Sequence, residues 1–360
     1  STYNVAVGYE AMYSNTTGEK NTASGYHALY TNTTGGNLTA VGQRALYLNT
    51  TGWYNTATGY AALHSNTTGY DNTANGWQAL WSNTTGWGNT AVGHGALYTN
   101  TSGNNTAIGW KALYYNTTAS YNTASGLGAL YTNTTGGQNT ATGYKALHLN
   151  TTGQYNTASG YEAMRQNTTG SYNVASGQDA LRSNTTASNN TASGYRALYA
   201  NTTGPGSNTC IGSGAGSAIT TGEQNSAVGR NTLDACTTAY YNNAFGNGAL
   251  GGLTTGIGDT GVGRNAGLDV TTGNHNTCVG NESGKVVAGG GHNNYIGYKT
   301  SASAAGVNYE HVFGEVITGK GGDTCYLGGT NGTYNEKNVT TFETTSDRRI
   351  KKNIADNNVG

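Results

Sequence analysis

The chain has 360 residues and no net charge, and only 9% of its residues are charged, against about a quarter in ordinary soluble domains. No basic run precedes Arg348, so the electrostatic footprint of a nucleic-acid-binding protein is missing, and no apolar run reaches the ~18 residues that a membrane helix needs. The 27 Tyr and 5 Trp residues favour order over disorder, because disordered segments are poor in aromatic residues.

One motif, seen at 89–103 as NTAVGHGALYTNTSG, returns along most of the chain. Its anchor glycine recurs nineteen times from Gly8 to Gly314, and sixteen of the eighteen intervals are 17 residues long. A fixed period of this size is typical of solenoids, in which each repeat buries its apolar face against its neighbours. The sequence therefore predicts about nineteen stacked coils.

Residues 1–204 form a regular domain of twelve close copies of the motif. Ala stands two before and three after the anchor glycine in all twelve, which predicts two narrow interior columns, with Leu or Met beside them. The position two after the glycine is often charged and is expected to face solvent. The Gly, Thr and Asn content disfavours helices, so we predict an all-β fold, a β-solenoid with two short strands and two turns per coil. Nineteen coils stacked ~4.8 Å apart would form a rod ~90 Å long.

An Asn-Thr-Thr-Gly-like corner closes each of these copies. We expect its Asn side chains to stack as an amide ladder, and we expect Asn and Gly to adopt the left-handed backbone that tight corners require. The same tripeptide is an N-glycosylation sequon, so each corner Asn is also a candidate glycosylation site. The twelve positions are Asn15, Asn32, Asn49, Asn66, Asn83, Asn100, Asn116, Asn133, Asn150, Asn167, Asn184 and Asn201.

Aromatic residues recur one and five positions after the anchor glycine, as at Tyr9 and Tyr13. Exposed aromatic stripes suit the faces of sugars, so a polysaccharide or glycan is a candidate ligand. Two alternatives stay open: the rings pack between the chains of a trimer, or they stack as a ladder. The Thr column three before the glycine also leaves open a flat ice-binding array.

Beyond a junction at 204–206, which holds the single proline, the repeats diverge through 205–318. The Asn-Thr-Thr corner disappears and the residue before each glycine becomes bulky, as in Ile211 and Phe245, which predicts a larger hydrophobic core. From 319 to 345 the period fails, and we expect a short β-rich connector. Cys210 and Cys278 stand in an alanine column, so they are interpreted as small buried side chains rather than metal or redox groups.

Enzyme signatures are weak. The seven His residues are scattered and no carboxylate pair recurs, so neither a cofactor nor a metal site is predicted. A polysaccharide depolymerase would need a carboxylate pair across a groove between chains, which one sequence cannot reveal.

The coil motif, written Asn-Ser-Ala-Val-Gly at 225–229 and Asn-Thr-Ala-Val-Gly at 89–93, resembles the left-handed parallel β-roll repeats in the heads of trimeric autotransporter adhesins. The coil length of 17 departs from the shorter repeat of those heads. The resemblance implies a parallel homotrimer with an adhesive role.

Residues 346–360 begin with SDRRIKKNI, which resembles the opening of the intramolecular chaperone domain at the C-terminus of phage tail fibres and endosialidase tailspikes. In that family the domain drives trimerisation of a β-structured fibre and is then released by cleavage before the serine. The resemblance implies that Ser346 is the nucleophile, that Lys351 activates it, and that Thr345 ends the mature fibre. The alternative is a solvated run of charges.

Together these features predict a structural and host-adhesion fibre of a phage or phage-like particle, an elongated trimeric shaft in the virion tail or outside the cell. Its expected partners are its own copies and a host glycan, without nucleic acid or membrane insertion. Apart from self-cleavage before Ser346, no enzyme activity is expected. The alternative is a self-assembling extracellular filament or bacterial surface adhesin that carries N-linked glycans.

Overall fold

A computed structural model describes residues 2–328, 333–335 and 343–344, and every regular element in these ranges is a β-strand, with no helix. The chain divides into two compact units, Ser1–Ser207 (unit 1) and Asn208–Gly360 (unit 2). Each unit is a parallel β-solenoid whose strands recur about every 17 residues. The predicted all-β solenoid of about nineteen coils is confirmed.

Unit 1 has one three-residue strand per coil, and each strand pairs in parallel with the next along the chain. Its strands are β1 (Val5–Val7), β2 (Thr22–Ser24), β3 (Thr39–Val41), β4 (Thr56–Thr58), β5 (Thr73–Asn75), β6 (Thr90–Val92), β7 (Thr106–Ile108), β8 (Thr123–Ser125), β9 (Thr140–Thr142), β10 (Thr157–Ser159), β11 (Val174–Ser176) and β12 (Thr191–Ser193).

Unit 2 continues the same pattern of parallel pairing from strand to strand, and its last two strands pair antiparallel. Its strands are β13 (Thr209–Ile211), β14 (Ser226–Val228), β15 (Asn243–Phe245), β16 (Thr260–Val262), β17 (Thr277–Val279), β18 (Asn294–Ile296), β19 (Glu310–Phe313), β20 (Thr324–Leu327), β21 (Thr333–Asn335) and β22 (Glu343–Thr344).

Each coil contains one strand, not the two that the sequence predicted, because left-handed residues interrupt the backbone after the anchor glycine. Lys111 (φ 52°) and Leu113 (φ 50°) are examples. The N–H of Lys111 donates to the His94 carbonyl of the preceding coil (2.9 Å), whereas the N–H of Leu113 donates to the Ala129 carbonyl of the following coil (3.0 Å). These inter-coil hydrogen bonds offset a conformational cost of about 1–2 kcal/mol per residue.

The sequence suggested that the corner Asn residues would adopt the left-handed backbone, but their φ values are not positive. The left-handed residues lie two and four positions after the anchor glycine and five before it, where Leu, charged residues and Tyr are common.

The anchor glycine is required for both its backbone conformation and its lack of a side chain. Gly93 has φ 128°, and a Cβ added there would lie 2.5 Å from the Gly109 carbonyl oxygen. Conformation and space both demand glycine at this position.

The core of unit 1 is the narrow interior that the sequence predicted. Ala91, Ala96 and Leu97 are all 0% exposed, and the same columns are buried in the neighbouring coils. The uniform Ala size follows from this geometry, because an added methylene has no space in a close-packed interior.

Unit 2 has more apolar bulk in its core, but not in the column that the sequence assigned. The bulky residues before the anchor glycines point outward, and Ile211 and Phe245 are each 42% exposed. The central residue of a three-residue strand faces the core, so its two neighbours face solvent. The added bulk lies seven positions after the glycine, where unit 1 has its corner Asn. These residues are fully buried: Ile219, Cys236, Leu253, Val270 and Val287.

Candidate functional surfaces

Eleven of the twelve corner Asn residues of unit 1, Asn15 to Asn184, form the predicted amide ladder. From Asn32 to Asn184, each Nδ2 donates to Oδ1 of the corner Asn in the preceding coil at 2.6 to 3.4 Å. The same nitrogen reaches its own corner, as where Asn83 Nδ2 donates to the Gly86 carbonyl at 3.0 Å. Both amide hydrogens are thus used inside the fold.

This geometry argues against N-glycosylation of the folded chain. Of the twelve candidate positions, all except Asn15 are 0% exposed. A glycan replaces one Nδ2 hydrogen, so at Asn83 it would remove either the rung to Asn66 or the bond to the corner carbonyl. Glycosylation was predicted from the Asn-Thr-Thr tripeptide alone. The same tripeptide is the sequence of a stacked corner, so it does not distinguish the two.

A second Asn column lies four before the anchor glycine, with Leu38 as its exception in unit 1, and its side-chain oxygens accept backbone N–H groups at the entrances to the strands. Asn72 Oδ1 accepts the backbone N–H of Asn89 at 3.0 Å, and Asn72 Nδ2 donates to the Gly86 carbonyl at 2.8 Å. The repeat pattern showed this Asn, but not its role. In unit 2 the column holds two buried carboxyl groups, Asp259 and Glu310, each 0% exposed.

The Glu310 carboxyl group occupies a fully hydrogen-bonded site. Its Oε2 accepts from Tyr295 Oη (3.0 Å) and from the Ser303 N–H (3.1 Å), and its Oε1 accepts from the Gly321 N–H (2.7 Å). Asp259 differs, because its Oδ2 has no hydrogen-bond partner within the described residues. Burial raises the pKa of Asp259 to about 7.

The aromatic column five after the anchor glycine is a continuous ladder of stacked rings in unit 1, one of the alternatives that the sequence left open. Successive centroids are 4.9 to 5.7 Å apart and successive planes differ by 4° to 19°. Burial in this stack lowers the pKa values of its two His residues. The nine rings are Tyr13, Tyr30, Tyr47, His64, Trp81, Tyr98, Tyr114, Tyr131 and His148.

The charged column two after the glycine is only partly solvent-facing, and this corrects the sequence prediction. Glu162 and Asp179 are each 8% exposed, because Arg182 from the column of rings covers both. Arg182 Nε lies 2.8 Å from Glu162 Oε2 and 3.3 Å from Asp179 Oδ1. The hydrogen bond to Glu162 raises the pKa of Arg182. Other members of the column, such as Arg44, are exposed.

The outer face of unit 2 carries an apolar column, which we call the outer seam. It consists of the residue before each anchor glycine in seven successive coils. Four members, Ile211, Phe245, Val262 and Ile296, are 38% to 42% exposed, and the other three are half-buried. The seven are Ile211, Val228, Phe245, Val262, Val279, Ile296 and Phe313.

An open groove of about 290 Å³ lies on the surface of unit 1, along the two columns that directly precede the second Asn column. Tyr121 and Tyr155 flank it, and both rings are exposed (61% and 46%). Gln138 and Gln154 supply amide groups, and Gly137 contributes to the floor. No lining residue of this groove is charged.

The remaining candidate residues do not assemble into a catalytic centre in the described part of the chain. Cys210 and Cys278 are fully buried in the alanine column, and burial raises the pKa of both thiols. Within the described ranges no three His, Cys, Asp or Glu side chains are grouped as metal ligands, and no helix is long and apolar enough to cross a membrane. Ser346 and Lys351 lie outside the described residues.

Comparison with known proteins adds no family to these observations. No protein-family model matches the chain, and neither the curated proteins nor the solved structures contain a match. The function must therefore be argued from the surfaces themselves.

Proposed function

We propose that the protein is a structural and host-adhesion fibre of a phage or phage-like particle, built as a parallel homotrimer. The outer seam of unit 2 is the observation that carries this proposal. A contiguous apolar surface on a soluble chain marks a contact site, since burying it removes apolar area from water.

The spacing of side chains along the outer seam favours a partner with the same spacing. Its side chains recur once per coil, at ~4.8 Å intervals along the stacking direction. A partner that meets all seven rungs needs the same spacing, and a second copy of this chain in parallel orientation has it. The flanking column three before the glycine is polar, as at Asn243 and Thr260, and would form the rim of such an interface.

Three parallel copies would bring three seams to a common axis and close the contact without an open end. This arrangement agrees with both resemblances: the adhesin β-roll is trimeric, and the chaperone family assembles trimeric fibres. An adhesive role is supported by the exposed aromatic residues of unit 1, such as Tyr9, Trp77 and Trp110. Cleavage between Thr345 and Ser346 stays a prediction from the second resemblance.

Light scattering on the purified chain tests the assembly. A trimer has a mass of about 111 kDa, three times the 37.0 kDa of one chain. The double variant Phe245→Asn/Val262→Asn is expected to dissociate, because each polar replacement removes about 1.5–3 kcal/mol of apolar burial. The matched control is Val92→Asn, at the same position of a unit 1 coil, where the neighbouring coil already has Asn75.

A wild-type mass of 37.0 kDa, or an unaltered trimer in the double variant, would refute the seam as the contact. Negative-stain microscopy supplies the independent measurement of shape, because a fibre must be elongated. The glycan-coated filament is the weaker candidate, since both amide hydrogens are already hydrogen-bonded at ten of its eleven buried sequons, Asn32 to Asn184.

A further inference from the structure

We infer that the groove between Tyr121 and Tyr155 is a subsite for a neutral oligosaccharide. This inference rests on the proposed adhesive function and names the ligand class that would be recognised. It concerns neither of the aromatic columns that the repeat pattern revealed.

The groove exists because one outward column of unit 1 varies from coil to coil and has no ring at this place. The column six before the anchor glycine holds large exposed rings in three successive coils: Trp53, Tyr70 and Trp87. The ring of Trp53 covers Gly36 of the preceding coil, since a Cβ added to Gly36 would lie 2.9 Å from Trp53 Cζ3. In the groove the same column carries Ser120, Gly137 and Gln154, so the surface stays open.

The ring of Tyr155 is held in place from one side. It stacks on Tyr172 of the following coil, with centroids 4.9 Å apart and planes within 4°. Its other face is therefore turned toward the preceding coil, which supplies Gly137 and Gln138. A ring fixed before the ligand arrives loses little conformational entropy on binding.

The chemistry of the groove matches a sugar. The electron-rich face of an exposed Tyr ring attracts the polarised C–H groups on one face of a pyranose. The side-chain amides of Gln138 and Gln154 both donate and accept, as hydroxyl groups require. Because no lining residue is charged, a neutral saccharide is favoured over a sialylated or sulfated one.

The size sets the length of the ligand. Tyr121 and Tyr155 stand in the same column two coils apart, or ~10 Å along the stacking direction. The volume of about 290 Å³ lies at the lower end of the range of small-molecule sites, ~300–1,000 Å³. Both values fit a segment of one or two sugar rings with one ring of the protein at each end.

The test uses the full chain and a panel of neutral di- to tetrasaccharides, with acidic oligosaccharides for comparison, followed by saturation-transfer NMR and titration calorimetry. Tyr155→Ala is expected to weaken binding of a neutral ligand by about tenfold, the loss of one aromatic contact. Tyr54→Ala is the matched control, because Tyr54 is exposed and left-handed (φ 58°) like Tyr155 (φ 57°) but lies beside Trp53, away from the groove.

Gly137→Trp fills the groove and is expected to abolish binding. It recreates the Thr-Gly-Trp corner found at 51–53 and 85–87, so the coil is expected to fold normally, and an unchanged melting temperature checks this. The inference is overturned if no neutral saccharide binds, if acidic saccharides bind more tightly, or if Tyr155→Ala and Gly137→Trp both bind as the wild type does.

The subsite and the proposed function can fail separately. If a trimeric fibre adheres to cells equally well with Gly137→Trp, the subsite is wrong and the fibre proposal stands. If the chain is a compact monomer whose saccharide binding is lost in Gly137→Trp, the fibre proposal is wrong and the subsite stands.

Discussion

Replacing Asp259 by Asn is expected to stabilise unit 2 at neutral pH. Asp259 Oδ1 accepts from the backbone N–H and Nδ2 of Asn276 at 2.8 and 2.9 Å, but Oδ2 has no partner among the described residues. In the coil before it, Asn242 Nδ2 donates to the Gly256 carbonyl at 3.0 Å. An Asn at 259 would offer the same donor to the equivalent carbonyl, that of Gly273.

The magnitude follows from the pKa of Asp259, which burial raises from the ordinary 3.8 to about 7 although the Asn276 hydrogen bonds lower it. Because the folded-state pKa is the higher one, the folded chain keeps a proton that the unfolded chain has released. The contribution of Asp259 to the free energy of unfolding is therefore most favourable below pH ~4. It decreases as the pH rises to about 7 and changes little above that. A shift of about three pKa units corresponds to about 4 kcal/mol.

Asp259→Asn removes this loss and adds a hydrogen bond of about 1 kcal/mol. We expect a gain of up to about 5 kcal/mol at pH 8 that shrinks to about 1 kcal/mol at pH 4. Denaturant unfolding from pH 4 to pH 8 measures the gain, and hydrogen exchange of peptides near Asn276 locates it. Asp71→Asn, at an exposed carboxylate of unit 1, is the control. An advantage that does not grow with pH would refute the reasoning.

Three further predictions follow from the coil geometry. Asn83→Ala is expected to cost about 2–3 kcal/mol in denaturant unfolding, because it leaves buried ladder partners unsatisfied, whereas Asn15→Ala at the half-buried end of the ladder is expected to cost less. Gly93→Ala should cost about 3 kcal/mol or more, because its Cβ would lie 2.5 Å from a backbone oxygen at φ 128°; Gly137→Ala, whose Cβ meets one backbone oxygen at 3.1 Å, is its control and should cost less. Chain secreted by eukaryotic cells should show by mass spectrometry no glycan at the eleven fully buried sequons, and a glycan at Asn83 would contradict the ladder.

The sequence was sufficient for those features that the period alone determines. A residue type that repeats at one phase must meet copies of itself, so the invariant Ala columns and the Leu97 column could be assigned to the interior. Backbone conformation could not be read this way. Leu97 has φ 52°, which no propensity of leucine predicts. Inter-coil hydrogen bonds impose this conformation, since the Gly95 N–H donates to the Trp77 carbonyl of the preceding coil and the Leu97 N–H donates to the Ala112 carbonyl of the following coil.

The two columns that change in unit 2 show the same limit. The residue before the glycine and the residue seven after it both become apolar, and the pattern does not say which one enters the core. The answer depends on which side chains of each strand face inward, because successive side chains of a strand point to opposite faces. Cys210 at the centre of β13 faces inward, so Ile211 beside it faces outward, and Ile219 takes the interior place that Asn has in unit 1. The groove was missed because a sequence read for its repeat gives no weight to a column that varies, such as the one that holds Gly137.

Outward columns that vary from coil to coil are where binding sites are to be sought in a solenoid. An interior substitution is felt by the coils on both sides, since Asn83 bonds upward and downward in one ladder, and the interior is therefore held nearly constant. An outward residue has no such constraint, so the same column can hold Trp53 in one coil and Gly137 in another at little cost to folding. The uniform interior thus permits variation outside, and an outward column that changes from coil to coil can carry a site that only a few coils form.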